Sequence, residues 1–244
     1  MGKLKEQHLK RAGIVIGALL AFTLLGCFVP EEKFEVPKEP ESTAHSWKEI
    51  SDISTYIESD NALVRDTAVS VVADAPGGID ANSEEWKIWQ INYWVYENIC
   101  YVSDPKGQEY YARATETLQT EAGDCDDFAI LLAGMYESVG LDAAIAEVDT
   151  EGTGKANHMA CLVYYSKTAD SFLEEEEMIL RKVRKTSPTS ELHIRYTGAP
   201  TSSLSKYNSG IWIFIDPPMA EVKNLPGYIS HEPYDIISIV DVGG

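Results

Sequence analysis

The sequence predicts an α+β fold, with helices in the first half of the chain and an antiparallel sheet in the second. Three observations predict it. Apolar residues recur at helical spacing as far as Val139, the period changes to strand alternation at Ala143, and short β-branched runs return near the end of the chain. No internal repeat breaks this order. Of the 244 residues, 44% are hydrophobic and 10% aromatic, which excludes a disordered tail, a coiled coil and a collagen-like repeat.

Ser46 with Glu49 is a capping-box pattern that opens a helix over 47–59, with Trp47, Ile50, Ile53 and Ile57 at helical spacing. A second helix runs over 62–73 and ends before Pro76-Gly77-Gly78. Asn82 with Glu85 opens a third, in which Trp86, Trp89, Tyr93, Trp94 and Ile99 recur every three to five residues. An aromatic stripe at that spacing reads as core rather than as a functional cage. A helix over 109–118 follows, then the turn Ala122-Gly123-Asp124 and a long helix over 125–139, stopped by Gly140.

Strands are predicted over 143–148 and 158–165, joined through Gly152-Thr153-Gly154. The next helix, over 171–185, carries a run of four acids at 174–177 that reads as a solvated face. Residues 186–210 are rich in Ser, Thr, Pro and Gly and read as a surface insertion. Ile211–Ile215 is a strongly apolar strand ended by Asp216-Pro217-Pro218, and 235–242 is the last strand.

Residues 1–11 carry Lys3, Lys5, Lys10 and Arg11, and 12–29 then run without a charge, the order of an export signal. The run closes on Leu24-Leu25-Gly26-Cys27, followed by Pro30 and Glu31-Glu32. This resembles a lipobox, which implies cleavage before Cys27 and lipidation of that cysteine. The alternative is an uncleaved signal anchor, since about 18 apolar residues just span a bilayer. Either reading exports the rest and anchors it to the outer face of the cytoplasmic membrane or in the cell envelope. The resulting organisation is a signal over 1–26, an acidic Pro-rich spacer over 27–45, an N-terminal helical segment over 46–80, and a main domain over 81–244 with an insertion at 166–210. The formal net charge of −19 makes a polyanion a poor partner, so nucleic acid is not expected. Four cysteines, Cys27, Cys100, Cys125 and Cys161, contain no C-x-x-C pair, which excludes a zinc ribbon and a dithiol redox motif.

The residues that carry chemistry centre on Gly123-Asp124-Cys125-Asp126-Asp127. A cysteine in the first turn of a helix meets a partial positive charge and unpaired backbone N–H groups, which favour a thiolate and can hold an oxyanion. The acidic neighbours oppose the thiolate, so a cationic partner is needed. His158, at the start of a strand after a Gly-rich turn, is the candidate. Asp216, at the end of another strand, is placed to orient the imidazole. Nucleophile, base and orienting carboxylate are the three parts of thiol acyl transfer. Asp124, Asp126 and Asp127 also offer hard oxygen ligands for calcium, although the expectation is that they cap the helix and face water and that no cofactor is needed.

Taken together, residues 86–218 resemble the transglutaminase-like, or transglutaminase core, superfamily of cysteine acyl-transfer enzymes. The resemblance rests on the Gly-Asp-Cys block continuing into Phe128-Ala129 and Leu131-Leu132, on His158-Met159-Ala160-Cys161, and on Trp212-Ile213-Phe214-Ile215-Asp216-Pro217. It implies a papain-like core with the catalytic helix packed on an antiparallel sheet, and it makes Cys125 the nucleophile, His158 the base and Asp216 the third member. The implied substrate is a protein or peptide amide, and the expected outcome is hydrolysis, as in a cysteine peptidase or amidase. Protein crosslinking and a non-catalytic envelope-binding lipoprotein are the alternatives. The chain departs from the family pattern in its long 166–210 stretch, expected to cap or shape the site. The second oxyanion donor is open among Gln119, Tyr101 and Trp89.

Overall fold

The computed structural model describes residues 53–105, 109–183, 194–198, 207, 209–222, 225–229 and 234–242. The expected lipobox with Cys27, the spacer and the capping box at Ser46 lie outside these residues. No helix among them is long and apolar enough to cross a membrane.

Helices α1 (Ser54–Ile57), α2 (Ala62–Ala73) and α3 (Glu84–Asn98) come first. Asn61 caps α2 by accepting from the Leu63 N–H, and Ser83 caps α3 by accepting from the Trp86 N–H. The start of α3 thus falls one residue later than Asn82 suggests. A two-residue strand β1 (Cys100–Tyr101) pairs in parallel with β2 (Ala122–Gly123), and α4 (Ala114–Thr120) lies between them. The helix expected over 109–118 starts late because Arg113 still has extended backbone and serves as its N-cap.

Helix α5 (Cys125–Ser138) is the axis of the molecule, and every residue from Asp126 to Tyr136 is buried. One side of it packs on β4 (His158–Tyr165) and β3 (Ala143–Asp149), while α2, α3 and α4 cover the others. A helix enclosed all round must be apolar all round, which Phe128-Ala129-Ile130-Leu131-Leu132-Ala133 supplies. Gly134 is required there because a Cβ would sit 2.4 Å from the Ile57 carbonyl oxygen. That contact draws α1 and α2 into the same core as α5. Burial of each large aliphatic side chain in it stabilises the fold by about 1.5–3 kcal/mol.

The main sheet is antiparallel throughout, in the order β5-β6-β4-β3-β7, with β5 (Tyr196–Thr197), β6 (Ile211–Ile215) and β7 (Asp235–Asp241). Both faces of the central strands are buried. Met159, Cys161 and Val163 of β4 belong to the core around α5, whereas Ala160 and Leu162 pack with Trp212, Phe214 and Tyr234 on the other face.

Helix α6 (Ala169–Val183) carries the four acids expected to form a solvated face. Glu176 departs from that expectation, being fully buried and engaged with Tyr228. Its position follows from the helix phase, which turns Phe172, Glu176, Ile179 and Leu180 inward together. Part of the 166–210 stretch is therefore not a loose insertion: α6 packs on α3, and β5 joins the edge of the sheet beside β6.

Candidate functional site

The site begins at the turn into α5. Backbone N–H groups of Cys100 and Val102 donate to the carbonyls of Glu121 and Gly123 at 2.8 Å, which ties β1 to the turn. A Cβ on Gly123 would meet the Asp127 Cβ at 2.5 Å, so only glycine lets the chain pass this close to the helix. Asp127 explains the close approach: its carboxylate accepts from the Ala112 N–H at 2.7 Å and from the Asp124 N–H at 3.3 Å, pinning both the preceding loop and the helix start. Asp124 in turn accepts from the Asp104 N–H at 3.2 Å.

Asp124 and Asp127 form the capping box at the helix start, as expected, but Asp126 and Asp127 do not face water. Asp126 is 1% exposed and Asp127 5%. Neither oxygen of Asp126 receives a donor, nor does Oδ1 of Asp124; what Asp126 faces is Asp124 itself. Burial and the Asp124 carboxylate push the Asp126 carboxyl far above its usual range. Burial raises Asp127 to about 7 despite the N–H groups of Ala112 and Asp124.

Cys125 occupies the first position of α5 and is half-buried. A hydrogen bond from the Met159 backbone amide reaches its thiol and favours the thiolate. Burial, Asp126 and Asp124 outweigh that amide and raise the thiol well above its ordinary value. The two acids thus oppose the thiolate that a helix start alone would favour, as their place beside the cysteine predicts, and Asp126 does so from a buried position.

The Met159 amide also locates His158, the preceding residue and the first of β4. Its hairpin is held by Asp149, whose carboxylate accepts from the N–H groups of Glu151 and Gly152 at 2.9 Å and from that of Gly154. These amides overcome the effect of burial and hold Asp149 below the usual carboxylate range. Across the sheet, Ile215 of β6 pairs with Cys161, so Asp216 emerges toward the start of β4. Pro217 then turns the chain into a short 3-10 turn, Pro217–Met219. The result is a contact of 2.6 Å between His158 Nε2 and Asp216 Oδ2, with both residues buried.

One residue of this cluster was not anticipated. Tyr234 is buried, donates its hydroxyl to the same Oδ2 of Asp216, and sets its ring edge-on to His158 at 5.9 Å between centroids. No motif marks it, because it sits just ahead of the last strand and reaches Asp216 only through the fold.

The three oxyanion candidates separate clearly. Trp89 is fully buried and stacked between Trp86 and Tyr93 at 5.8 and 5.0 Å, so it is core. Gln119 is exposed on α4. Tyr101, 41% exposed, pairs with Gly123 in β1 and lies within electrostatic range of Cys125, Asp124 and Asp216. Burial and those three groups raise its phenol above the ordinary value.

Known proteins bear on this arrangement. The chain is 31% identical over 83 residues to a UPF0252 protein of Pyrococcus horikoshii, covering 34% of this chain and 24% of the relative. It is 32% identical over 93 residues to one of Pyrococcus furiosus, covering 36% and 26%. The chain therefore spans about a quarter of the length of the curated relatives it matches. Similar solved structures include a candidate cysteine protease from Cytophaga hutchinsonii, with TM-score 0.43, 16% identity, and coverage of 76% of this chain and 43% of that one. Legionella pneumophila LapG is another, with TM-score 0.41, 15% identity, and coverage of 78% and 81%. Residues 76–172, which carry Cys125 and His158 and stop short of Asp216, match the family model of the transglutaminase-like superfamily.

Proposed function

We propose that the protein is a thiol-dependent acyl-transfer enzyme that hydrolyses peptide or side-chain amides, with Cys125 as nucleophile, His158 as base and Asp216 as its orienting carboxylate. The observation that carries this reading is the engagement of His158 Nε2 by Asp216 at 2.6 Å beside the Met159 amide that reaches the Cys125 thiol. A carboxylate accepts the Nε2–H and leaves Nδ1 with its lone pair for the thiol proton. The thiol sits in acidic surroundings, so proton transfer to the imidazole at the moment of attack is what makes it nucleophilic.

The sulfur attacks the amide carbon, and the developing oxyanion meets the N–H groups of the first turn of α5, which have no partner within the helix. His158 returns its proton to the departing amine as the C–N bond breaks, leaving a thioester. Water then attacks the thioester, His158 takes its proton, and the acid leaves as the thiol is reformed. The exported location and the membrane anchor at Cys27 belong to this proposal and place the substrate in the cell envelope. Cys27→Ser is expected to leave an uncut precursor, and processing and anchoring like the parent would remove the lipid anchor.

Calcium fits the same site. Asp124 and Asp126 present buried carboxylate oxygens that no donor satisfies, and with the Cys125 sulfur their ligand atoms lie within 4.8 Å of one another. Hard oxygen donors suit calcium. These two carboxylates would hold the ion, whereas Asp127 is committed to the N–H groups of Ala112 and Asp124. Bound there, calcium would neutralise the charge that raises the Cys125 thiol.

The test is labelling with a thiol-directed electrophile near neutral pH, followed by product analysis on envelope peptides with and without added amine. Cys125 is expected to react faster than buried Cys161, and peptides are expected to be hydrolysed. Amine incorporation in place of hydrolysis would make the enzyme a crosslinker, and an inert Cys125 would make the chain a binding module.

A further inference from the structure

We infer that Tyr234 is a positioning residue for the site, holding Asp216 by its hydroxyl and His158 by the edge of its ring. The inference rests on the acyl-transfer reading above for its consequence, but the contacts that carry it are independent of any substrate.

Asp216 Oδ2 is shared. It accepts from the Tyr234 hydroxyl and lies 2.6 Å from His158 Nε2. A carboxylate oxygen has lone pairs for two such donors, and two donors on one oxygen leave the carboxylate a single rotamer. A lone imidazole contact would not do this, because Asp216 follows the last residue of β6 and has no sheet partner of its own to fix it. The hydroxyl therefore supplies the second point that defines the carboxylate plane.

The ring supplies a third constraint. Tyr234 stands edge-on to His158, at 5.9 Å and 67°, and edge-on to Phe214 at 5.3 Å and 85°. Phe214 pairs with Leu162 in the sheet, so the tyrosine is braced against the scaffold rather than against a loop. The Arg195 guanidinium lies over the same ring, 5.8 Å from its centroid. Burial and the Asp216 charge hold the phenol well above its ordinary range, which keeps the group a donor.

The consequence is a fixed tautomer. With Oδ2 doubly hydrogen-bonded, the imidazole donates from Nε2 and presents an unprotonated Nδ1. Without the tyrosine hydroxyl, the carboxylate can rotate and the ring can turn with it. Tyr234 does not touch the reacting atoms; it acts through Asp216 and His158.

The experiment is a double-mutant cycle of Tyr234→Phe and Asp216→Asn, read by the rate of Cys125 alkylation with iodoacetamide at pH 7 and by the ¹⁵N signals of His158. Phenylalanine keeps the ring and removes only the hydroxyl. Tyr234→Phe alone is expected to slow alkylation about tenfold and to mix the two His158 tautomers. In the Asp216→Asn background the same change is expected to alter the rate by less than about twofold, because its target charge is gone. A filler role predicts something else: a lower melting temperature in both backgrounds, with the parental alkylation rate per folded molecule and a single tautomer. That result would overturn the inference. If Tyr234→Phe fails to fold, the parent decides by NMR. A slowly exchanging Tyr234 hydroxyl proton close to His158 Nε2–H supports the role, and a hydroxyl in fast exchange overturns it. A parent whose Cys125 reacts no faster than Cys161 would sink the nucleophile assignment, while the tautomer measurements would still report on Tyr234.

Discussion

Two buried carboxylates at this site live in opposite circumstances. Asp216, 6% exposed, has two donors on one oxygen, from a tyrosine and an imidazole. Asp126, 1% exposed, has none and faces Asp124, another carboxylate. Burial is nearly the same, so the difference lies in the partners. A buried charge with donors becomes a fixed piece of geometry. A buried carboxylate against another carboxylate needs a proton or a cation before it can rest. One end of the site is thus preorganised, and the other is set to respond to its surroundings.

The largest expected effect comes from breaking the preorganised end. Asp216→Asn keeps the shape but lets a donor face His158, allowing the wrong tautomer. The Ser-His-Asp precedent sets an upper bound of about 10⁴-fold on the loss in turnover. Turnover and melting temperature measured on one sample decide it. A full-rate, destabilised protein would remove Asp216 from the mechanism and leave Cys125 and His158 as a dyad.

The responsive end predicts a ligand effect. Calcium added to protein cleared with chelator is expected to raise the melting temperature, by about 2.7 kcal/mol of stability at a hundred times its dissociation constant. Asp126→Asn should abolish that shift. Identical calcium responses in the two proteins would place the ion elsewhere.

A smaller effect isolates the carboxylate pair itself. Without calcium at pH 8, Asp126→Asn is expected to change stability by less than about 1 kcal/mol, since the protonated Asp126 already offers Asp124 a donor and the amide replaces it. Denaturant midpoints read this directly, and a strongly destabilised variant would mean that Asp126 is held ionised by a donor.

The smallest effect is a pH slope. Asp127 is raised to about 7 in the fold, against about 4 unfolded, so the native state binds the extra proton between those values. Stability from this group is complete below about pH 4 and is lost as pH rises through about 7. Asp126, raised by the same burial, acts with the same sign. Metal-free protein should therefore melt a few degrees higher at pH 5 than at pH 8, and Asp127→Asn should flatten the slope. A melting temperature that climbs over this range would show that the carboxylates are solvated.

Much of the fold was legible because its signals are local. The period change at Ala143, the apolar run in α5, the Gly140 stop and the Asp216-Pro217 end of β6 each act over a few residues, and the elements follow them closely. Glu176 was misread for the complementary reason. A run of four acids looks solvated, yet the phase of α6 against α3 turns one of them into the core, toward Tyr228. Phase against a neighbouring element is not a local quantity.

The candidate site divides along the same line. The sequence by itself determined the Gly-Asp-Cys turn and the helix behind it, because Gly123 and the apolar stretch after Cys125 admit few other conformations. It also determined which strand starts at His158 and which ends at Asp216, since those boundaries are written in glycines and prolines. Only the tertiary structure decided what these residues meet. Sheet register brought Asp216 to His158, the return of the chain before β7 brought Tyr234 to both, and the packing of α5 buried Asp126 against Asp124. Hydrogen bonding and desolvation act over a few ångströms in space, and the His158–Asp216 contact joins residues 58 apart in the chain. That is why Cys125 drew the electrostatics of its buried neighbours and not those of a bare helix start.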